Sequence, residues 1–358
     1  MKKKKTPRKF LVIRFRQMGD AILSTALLNA IKRNFPDSEV HFVLNDNIEG
    51  LFAGHPSIDR IIPFTKQERH SPMKYLSKIF KVVTRGRYDV IIDMRSTLNT
   101  LPFTLFAPRA KYRIGIRKPY TFLTFNHRFP GCESEYMGTH DARLLSPLSA
   151  VKELDLTPEI SLSVTDGEVA NFRKYMLREG VDFTQPVMLC GVVAKDDDKT
   201  WDLRRMADVL HLVIAKYPDI QLIFNYAKGR EEQVARKLYE DMGRPRQVRI
   251  NVKAESMRQL LCMARLSDAY FGNEGGARHI AEAMGTPSLV VSNPSIPKGL
   301  WFRETPTSQS VCVSDLASPE KLQGLDYHSQ YRLITTSAVW ERLEPFMEAC
   351  ELKKQVGR

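Results

Sequence analysis

Three short segments carry residue types suited to chemistry on an anionic substrate. The first is Arg16-Gln17-Met18-Gly19-Asp20. Gly19 lets a ligand come close to the backbone. Asp20 stands at the predicted start of a helix, either as an N-cap accepting from the first free N–H groups or as a carboxylate base. A helix N-terminus stabilises the anion, so the carboxylate would become basic only once substrate displaces water. The second segment runs from Ala194 to Trp201 and holds Lys195, Asp196-Asp197-Asp198, Lys199 and Thr200. The three acids could hold a divalent ion, but a solvated charge run is the plainer reading. Lys199 just before a predicted helix opposes the helix dipole; it is either a solvated lysine or one placed to meet a phosphate. The third segment is Gly272-Asn273-Glu274-Gly275-Gly276, followed by Arg278 and His279. Paired glycines before a helix leave its N–H groups bare for a phosphate, and Arg278 and His279 could add donors. The plain alternative is a Gly-rich turn with His279 satisfied in the core.

Short β-branched runs alternating with helical periodicity must position these loops. In the first half, strands are predicted over 9–15, 40–44, 60–64, 88–94 and 112–116, with helices over 20–34 and 73–85. In the second half, strands over 187–193, 220–225, 269–272 and 288–292 alternate with helices over 203–216, 231–242, 257–266 and 277–284. A last helix is expected over 338–354. This grammar implies parallel sheets covered on both faces. Ligands then bind at the carboxyl ends of the strands, where all three segments lie. The fold expected is α/β, with two Rossmann-like doubly wound domains. The first turn lacks the GxGxxG fingerprint, which argues against a nicotinamide enzyme.

The 358 residues exceed one ordinary core and suit two domains. Their formal charge is +13, and the excess is confined to the first half. Residues 1–150 carry 26 Lys and Arg against 12 Asp and Glu, whereas residues 151–358 carry 28 against 29. Such a field favours nucleic acid, an anionic membrane surface or a phosphorylated substrate. The apolar run after the basic start, Phe10 to Ile13, is too short for a signal core. No stretch approaches the roughly 18–20 apolar residues of a membrane span. The five cysteines are odd in number, widely spaced and without a CxxC pair. They suggest a reducing, cytoplasmic setting with neither disulfide framework nor zinc site.

Taken together, the segments resemble glycosyltransferase family nine, the lipopolysaccharide heptosyltransferases. The resemblance rests on the strand from Phe10 leading to Met18-Gly19-Asp20, on Phe35-Pro36-Asp37, and on 55–62 followed by 88–93. It continues in Lys199-Thr200-Trp201 and in Gly272 to Gly276 with His279, Ala281 and Gly285-Thr286-Pro287. It implies a B-type glycosyltransferase fold with a cleft between the two domains. The domains are expected over 1–165, for the acceptor, and 166–335, for the nucleotide sugar. Residues 336–358 would form a helix packing back on the first domain. It also implies inverting, metal-independent transfer of heptose from ADP-heptose to the inner core of a lipid A-based acceptor, with no resident cofactor.

Carried over, Asp20 is the base and Lys199 the cation on the donor diphosphate. Gly275, Gly276 and His279 lie against that diphosphate. Met18, Gly19, Lys195, Thr200, Asn273, Glu274, Arg278 and Lys298 complete the expected donor site. Glu231 or Glu232 resembles the acid on the ribose hydroxyls, or is a first-turn helix acid. Arg14, Arg16, Gln17, Arg95, Arg113, Arg117 and Lys118 are the candidates for a phosphorylated, acidic acceptor. Glu274 stands where the family usually has Asp, Gly275 where it has Ser or Thr, and Asn293-Pro294-Ser295 replaces a common Gly-Pro-Thr. The charge of the first half would suit peripheral contact with the inner face of the cell membrane, through lysines 2–5 and the stretch 74–87 among others. Two alternatives are transfer of another nucleotide-linked sugar and, more distantly, a basic nucleic-acid-binding protein; no recognised nucleic-acid module is present.

Overall fold

A computed structural model describes residues 6–132 and 134–350; lysines 2–5 and residues 351–358 lie outside the described residues. The chain divides into two units, Met1–Ser163 and Val164–Arg358, a division two residues before the expected one.

The first unit is built on strands β1 (Lys9–Ile13), β2 (Glu39–Asn45), β3 (Arg60–Phe64), β4 (Val90–Asp93), β5 (Tyr112–Ile116) and β6 (His127–Phe129). They form one sheet in the order β3-β2-β1-β4-β5-β6, and all pairs are parallel. The middle strands are apolar throughout because helices cover both faces: Phe10 to Ile13 and Val90 to Ile92 are fully buried. Strand β6 has no apolar run of its own and escapes periodicity. Chain order reverses between β1 and β4, so the crevice rule directs a ligand to the loops after those two strands.

The second unit repeats the plan with β7 (Val187–Gly191), β8 (Gln221–Phe224), β9 (Ala269–Asn273), β10 (Ser288–Val291) and β11 (Ser308–Val311). The order is β11-β10-β9-β7-β8, again all parallel. Here the reversal falls between β7 and β9, whose following loops hold Lys199 and Glu274. The two strands approach closely because glycines face each other. Gly272 has φ 152°, and a Cβ there would collide with the backbone of Gly191.

One expected helix differs. The helix over 20–34 is in fact two, Met18–Leu23 and Thr25–Asn34, joined at Ser24. Gln17 is the N-cap, so Asp20 is a first-turn acid and not the cap. The last helix, Thr336–Ala349, has its buried side chains in the core of the second unit. Val339, Leu343, Phe346 and Met347 are buried in the same core as Met188, Trp201 and Phe271, and Lys216 pairs with Glu344 at 2.7 Å and Glu348 at 2.5 Å. No helix of the described residues is long and apolar enough to cross a membrane.

Candidate active site

In the first unit the loop after β1 places one carboxylate among several cations. Asp20 Oδ1 accepts from Arg14 Nη2 at 3.3 Å, and Asp20 Oδ2 lies 3.8 Å from Arg16 Nη1. Arg14 is 4% exposed. It also donates to the Met94 carbonyl at 3.1 Å and lies 3.8 Å from Asp141 Oδ2. Arg95, after β4, donates to the Phe15 carbonyl at 2.6 Å. Burial, then the charges of Arg16 and Arg14, lower its pKa. Lys118 reaches the Arg95 carbonyl at 3.1 Å. Cations outnumber Asp20 in this ring, so the loops favour a further anion.

Not every acceptor candidate is available. Arg113 donates to the carbonyls of Thr124, Pro108 and Ala110; its guanidinium ties the loop from β5 to β6. Gln17 and Arg117 are exposed. Two residues that sequence reasoning missed shape the loops. Asp93 is fully buried, and its Oδ1 accepts the Arg95 and Ser96 backbone N–H groups; burial raises its pKa. Asp141, on helix Met137–Arg143, is 1% exposed beside Arg14 and lies 3.6 Å from His140 Nδ1. Nothing local marks it except an acid among residues that periodicity would bury.

In the second unit the loop after β7 folds back on itself. Thr200 Oγ1 accepts the Ala194 N–H at 3.0 Å, and Lys199 pairs with Asp196 at 2.8 Å while remaining exposed. Lys199 sits in a single helical turn, Asp197–Lys199, ahead of helix Leu203–Lys216. That helix is capped by Asp202, which accepts from the Arg204 and Arg205 backbone N–H groups. Arg230, unnoticed in the sequence, clamps the loop by donating to the Ala194 and Lys195 carbonyls at 2.7 Å and to Asp197. Asp196 and Asp197 therefore have cationic partners. Among the described residues, no group of three His, Cys, Asp or Glu is arranged to hold a metal. An open depression of about 410 Å³ lies here, lined by Asp197, Thr200, Trp201, Arg204, Arg230 and Val234. Glu231 accepts the Ala227 N–H at 2.9 Å, and Glu232 pairs with Arg236 at 3.2 Å, as first-turn helix acids do.

Asn273 joins this loop to the next. Its Oδ1 accepts the Trp201 N–H at 2.7 Å and its Nδ2 donates to the Gly191 carbonyl at 2.9 Å. Those bonds occupy a side chain expected to touch the donor. Helix Gly276–Ala283 begins with Gly275 as N-cap and no side-chain cap, and a Cβ on Gly275 would meet open space. The helix N-terminus is thus unobstructed for an anion. Beneath it lies a buried charge cluster. Glu274 is 5% exposed, and neither carboxylate oxygen has a hydrogen-bond partner among the described residues. His279 Nε2 is 3.6 Å from Glu274 Oε1. Burial raises the pKa of Glu274 and, with the charge of Arg278, holds His279 well below the usual imidazole range.

Arg278 cannot serve a surface diphosphate as expected, because its side chain is fully buried. It lies 2.9 Å from Glu282, donates to the Trp301 carbonyl at 3.0 Å and stacks 4.5 Å from the Phe302 ring centroid. Its helical position points it at that segment. Lys298 pairs with Asp315. Asn293 bonds Tyr327, whose hydroxyl donates to the Asp198 carbonyl, so the departure at 293–295 braces the lysine loop.

The profile of glycosyltransferase family 9 (heptosyltransferase) matches residues 76–321, which omits Asp20. The chain is 22% identical over 289 residues to lipopolysaccharide heptosyltransferase 1 of Campylobacter coli, covering 79% of this chain and 83% of that one. The glycosyl transferase family 9 structure from Veillonella parvula superposes with TM-score 0.80 at 15% identity, over 95% of this chain and 97% of that one. The E. coli ADP-heptose lipopolysaccharide heptosyltransferase II does so with TM-score 0.71 at 16% identity, over 95% and 98%. These neighbours carry the B-type glycosyltransferase fold, matching the two parallel-sheet units found here. The chain belongs to glycosyltransferase family 9, the heptosyltransferases, and is an enzyme that transfers heptose.

Proposed function

We propose that the enzyme moves heptose from ADP-heptose to the inner core of a lipopolysaccharide acceptor, with inversion and without a metal, at the inner face of the cell membrane. The observation that carries this is the bond from Trp201 N–H to Asn273 Oδ1 at 2.7 Å. It fixes the Lys199 loop to the diglycine loop, so a cation and an uncapped helix N-terminus belong to one frame. Displacement at the anomeric carbon builds negative charge on the departing diphosphate, and those two groups stabilise it. Lys199 must exchange Asp196 for the diphosphate, which its exposure permits. Asp20 takes the proton of the acceptor hydroxyl, while Arg14 and Arg16 hold the carboxylate and Arg95 and Lys118 attract acceptor phosphates. Glu274, whose carboxylate oxygens have no hydrogen-bond partner among the described residues, meets the hydroxyls of the donor sugar, and His279, held by Arg278 at 3.1 Å, lies against the diphosphate. One acid of the pair Glu231 and Glu232 meets the ribose.

A thermal-shift panel of ADP, UDP and GDP tests the donor. A ligand at about 100 times its dissociation constant raises stability by about 2.7 kcal/mol, and ADP should give the largest shift. Preference for UDP or GDP would favour transfer of another nucleotide-linked sugar, the second reading, which the longer Glu274 and the missing hydroxyl at Gly275 support. Binding to random DNA that falls steeply with salt, without any nucleotide shift, would overturn both.

A further inference from the structure

The exposed large apolar side chains are not scattered. Of the eleven among the described residues, eight lie between Met73 and Leu123, and only Leu177, Leu212 and Leu316 lie in the second unit. Met73 is 84% exposed, Leu98 65%, Phe122 58% and Leu123 76%. Leu76 and Tyr120 are exposed beside them. Topology gathers them. Met73 and Leu76 open the helix Pro72–Gly86 that follows β3, Leu98 follows β4, and Tyr120, Phe122 and Leu123 follow β5. The strands are parallel, so these loops share the carboxyl edge of the sheet with Asp20.

Hydrogen bonds hold the pieces together. Tyr75 donates to the Asn99 carbonyl at 3.0 Å and Tyr120 to the Ser96 carbonyl at 3.2 Å. Exposing this much apolar surface on connected loops is unfavourable in water and marks a contact face. Cations are interleaved with it: Lys74 and Lys81 on the helix, Arg117 and Lys118 on the last loop. Between Pro72 and Leu123 the only acids are Asp89 and Asp93; Asp93 is buried and Asp89 binds the backbone N–H groups of Arg8 and Lys9. A face of apolar tips among uncompensated cations matches an anionic bilayer surface, where the tips enter the acyl boundary and the cations meet phosphates.

We infer that this edge, led by Met73, Leu98, Phe122 and Leu123, is the surface by which the enzyme seats on an anionic membrane. The inference rests on the membrane location proposed above and assigns it a face: the sheet edge that carries Asp20 is the edge laid against the lipid. Lys78 is not part of it, because it pairs with Glu68 and the Pro63 carbonyl.

The test is flotation of the full chain with vesicles of phosphatidylethanolamine and phosphatidylglycerol, against vesicles of phosphatidylcholine alone. Wild type should float with the anionic vesicles, and added salt should weaken the binding. The variant Leu98→Ser/Phe122→Ser/Leu123→Ser should lose at least about tenfold in partitioning, as should Lys74→Glu/Lys81→Glu. Both should keep the wild-type melting temperature and ADP affinity. Equal flotation of the variants and wild type would overturn the assignment of the face while leaving membrane binding intact. No flotation of wild type would overturn both. A wild-type dimer in light scattering that the serine variant dissociates, without vesicle binding, would make the face a contact between copies and overturn the inference. Absence of heptosyl transfer by a wild type that floats, with variants that do not, would count against the catalytic reading alone.

Discussion

Asp20 is held by a buried arginine that it shares with Asp141, and this arrangement decides what each substitution should do. Asp20→Asn keeps the shape and leaves Arg14 its bonds to Met94 and Asp141. The buried arginine loses one charged partner while Asn can still accept its hydrogen bond, so stability should fall by about 1–3 kcal/mol, while turnover falls by about 100-fold or more. Melting curves and steady-state rates check this together. Asp141 is 1% exposed and lies beside Arg14, so Asp141→Asn acts through that arginine. It should lower kcat with little change in the donor's KM, by letting Arg14 drift from Asp20; an unchanged kcat would make Asp141 purely structural. Asp20 was legible as an acid just after a strand, because Met18-Gly19-Asp20 follows the apolar run ending at Ile13. Its true position was not, because the break at Ser24 and the cap at Gln17 depend on how the side chains pack. Arg278 shows the same limit: the sequence places it in the first turn of a helix beside a phosphate site, and only tertiary packing turns it inward onto Glu282 and Trp301.

At the scale of elements, two interactions hold the second unit's loops and helices. Arg258 joins helix Met257–Arg265 to Glu168, which also closes the capping box at the start of helix Asp166–Arg178. The hydrogen bond from Arg258, followed by those from Thr165, depresses the Glu168 pKa to about 2. A depressed acid stabilises the folded state above its unfolded pKa, and the contribution disappears as pH falls through the folded value. The acid-induced loss of stability between the ordinary Glu value of 4.5 and about 2 should therefore be shallower in Glu168→Gln, and the variant should melt lower at neutral pH. Glu274 has the opposite sign. Burial raises its pKa, so the folded state favours its protonated form and stability from this group declines as pH rises from 4.5 through the folded value. Glu274→Gln should remove that decline, as read from melting temperature against pH. Helix and strand order were legible from periodicity because buried parallel strands are apolar runs. Strand β11 (Ser308–Val311) was missed because Ser308, Gln309 and Ser310 break that pattern. Arg230 was missed because a clamp on carbonyls leaves no mark in spacing.

For the whole molecule, the uneven charge acquires a location. The first unit gathers its cations around Asp20 and along the carboxyl edge, whereas the second balances its own with Asp196, Asp197 and Glu282. A compact diphosphate needs a few aimed groups; a phosphorylated glycolipid at a membrane suits a broad field. Lys74→Glu/Lys81→Glu should therefore raise the KM for a vesicle-borne acceptor severalfold and leave the donor's KM unchanged, and an equal effect on both would return the charge to a role in solubility. The fold was legible as a whole because the strand–helix alternation runs through both halves. The fine break at Ser24 was not, because the apolar spacing runs on through it. The most direct measurement is release of ADP from ADP-heptose with and without a lipid A–core acceptor, in wild type and Asp20→Asn. Release should depend on the acceptor and fall at least about 100-fold in the variant, with ADP affinity retained. No acceptor-dependent release by wild type, or equal release by Asp20→Asn, would contradict the assignment.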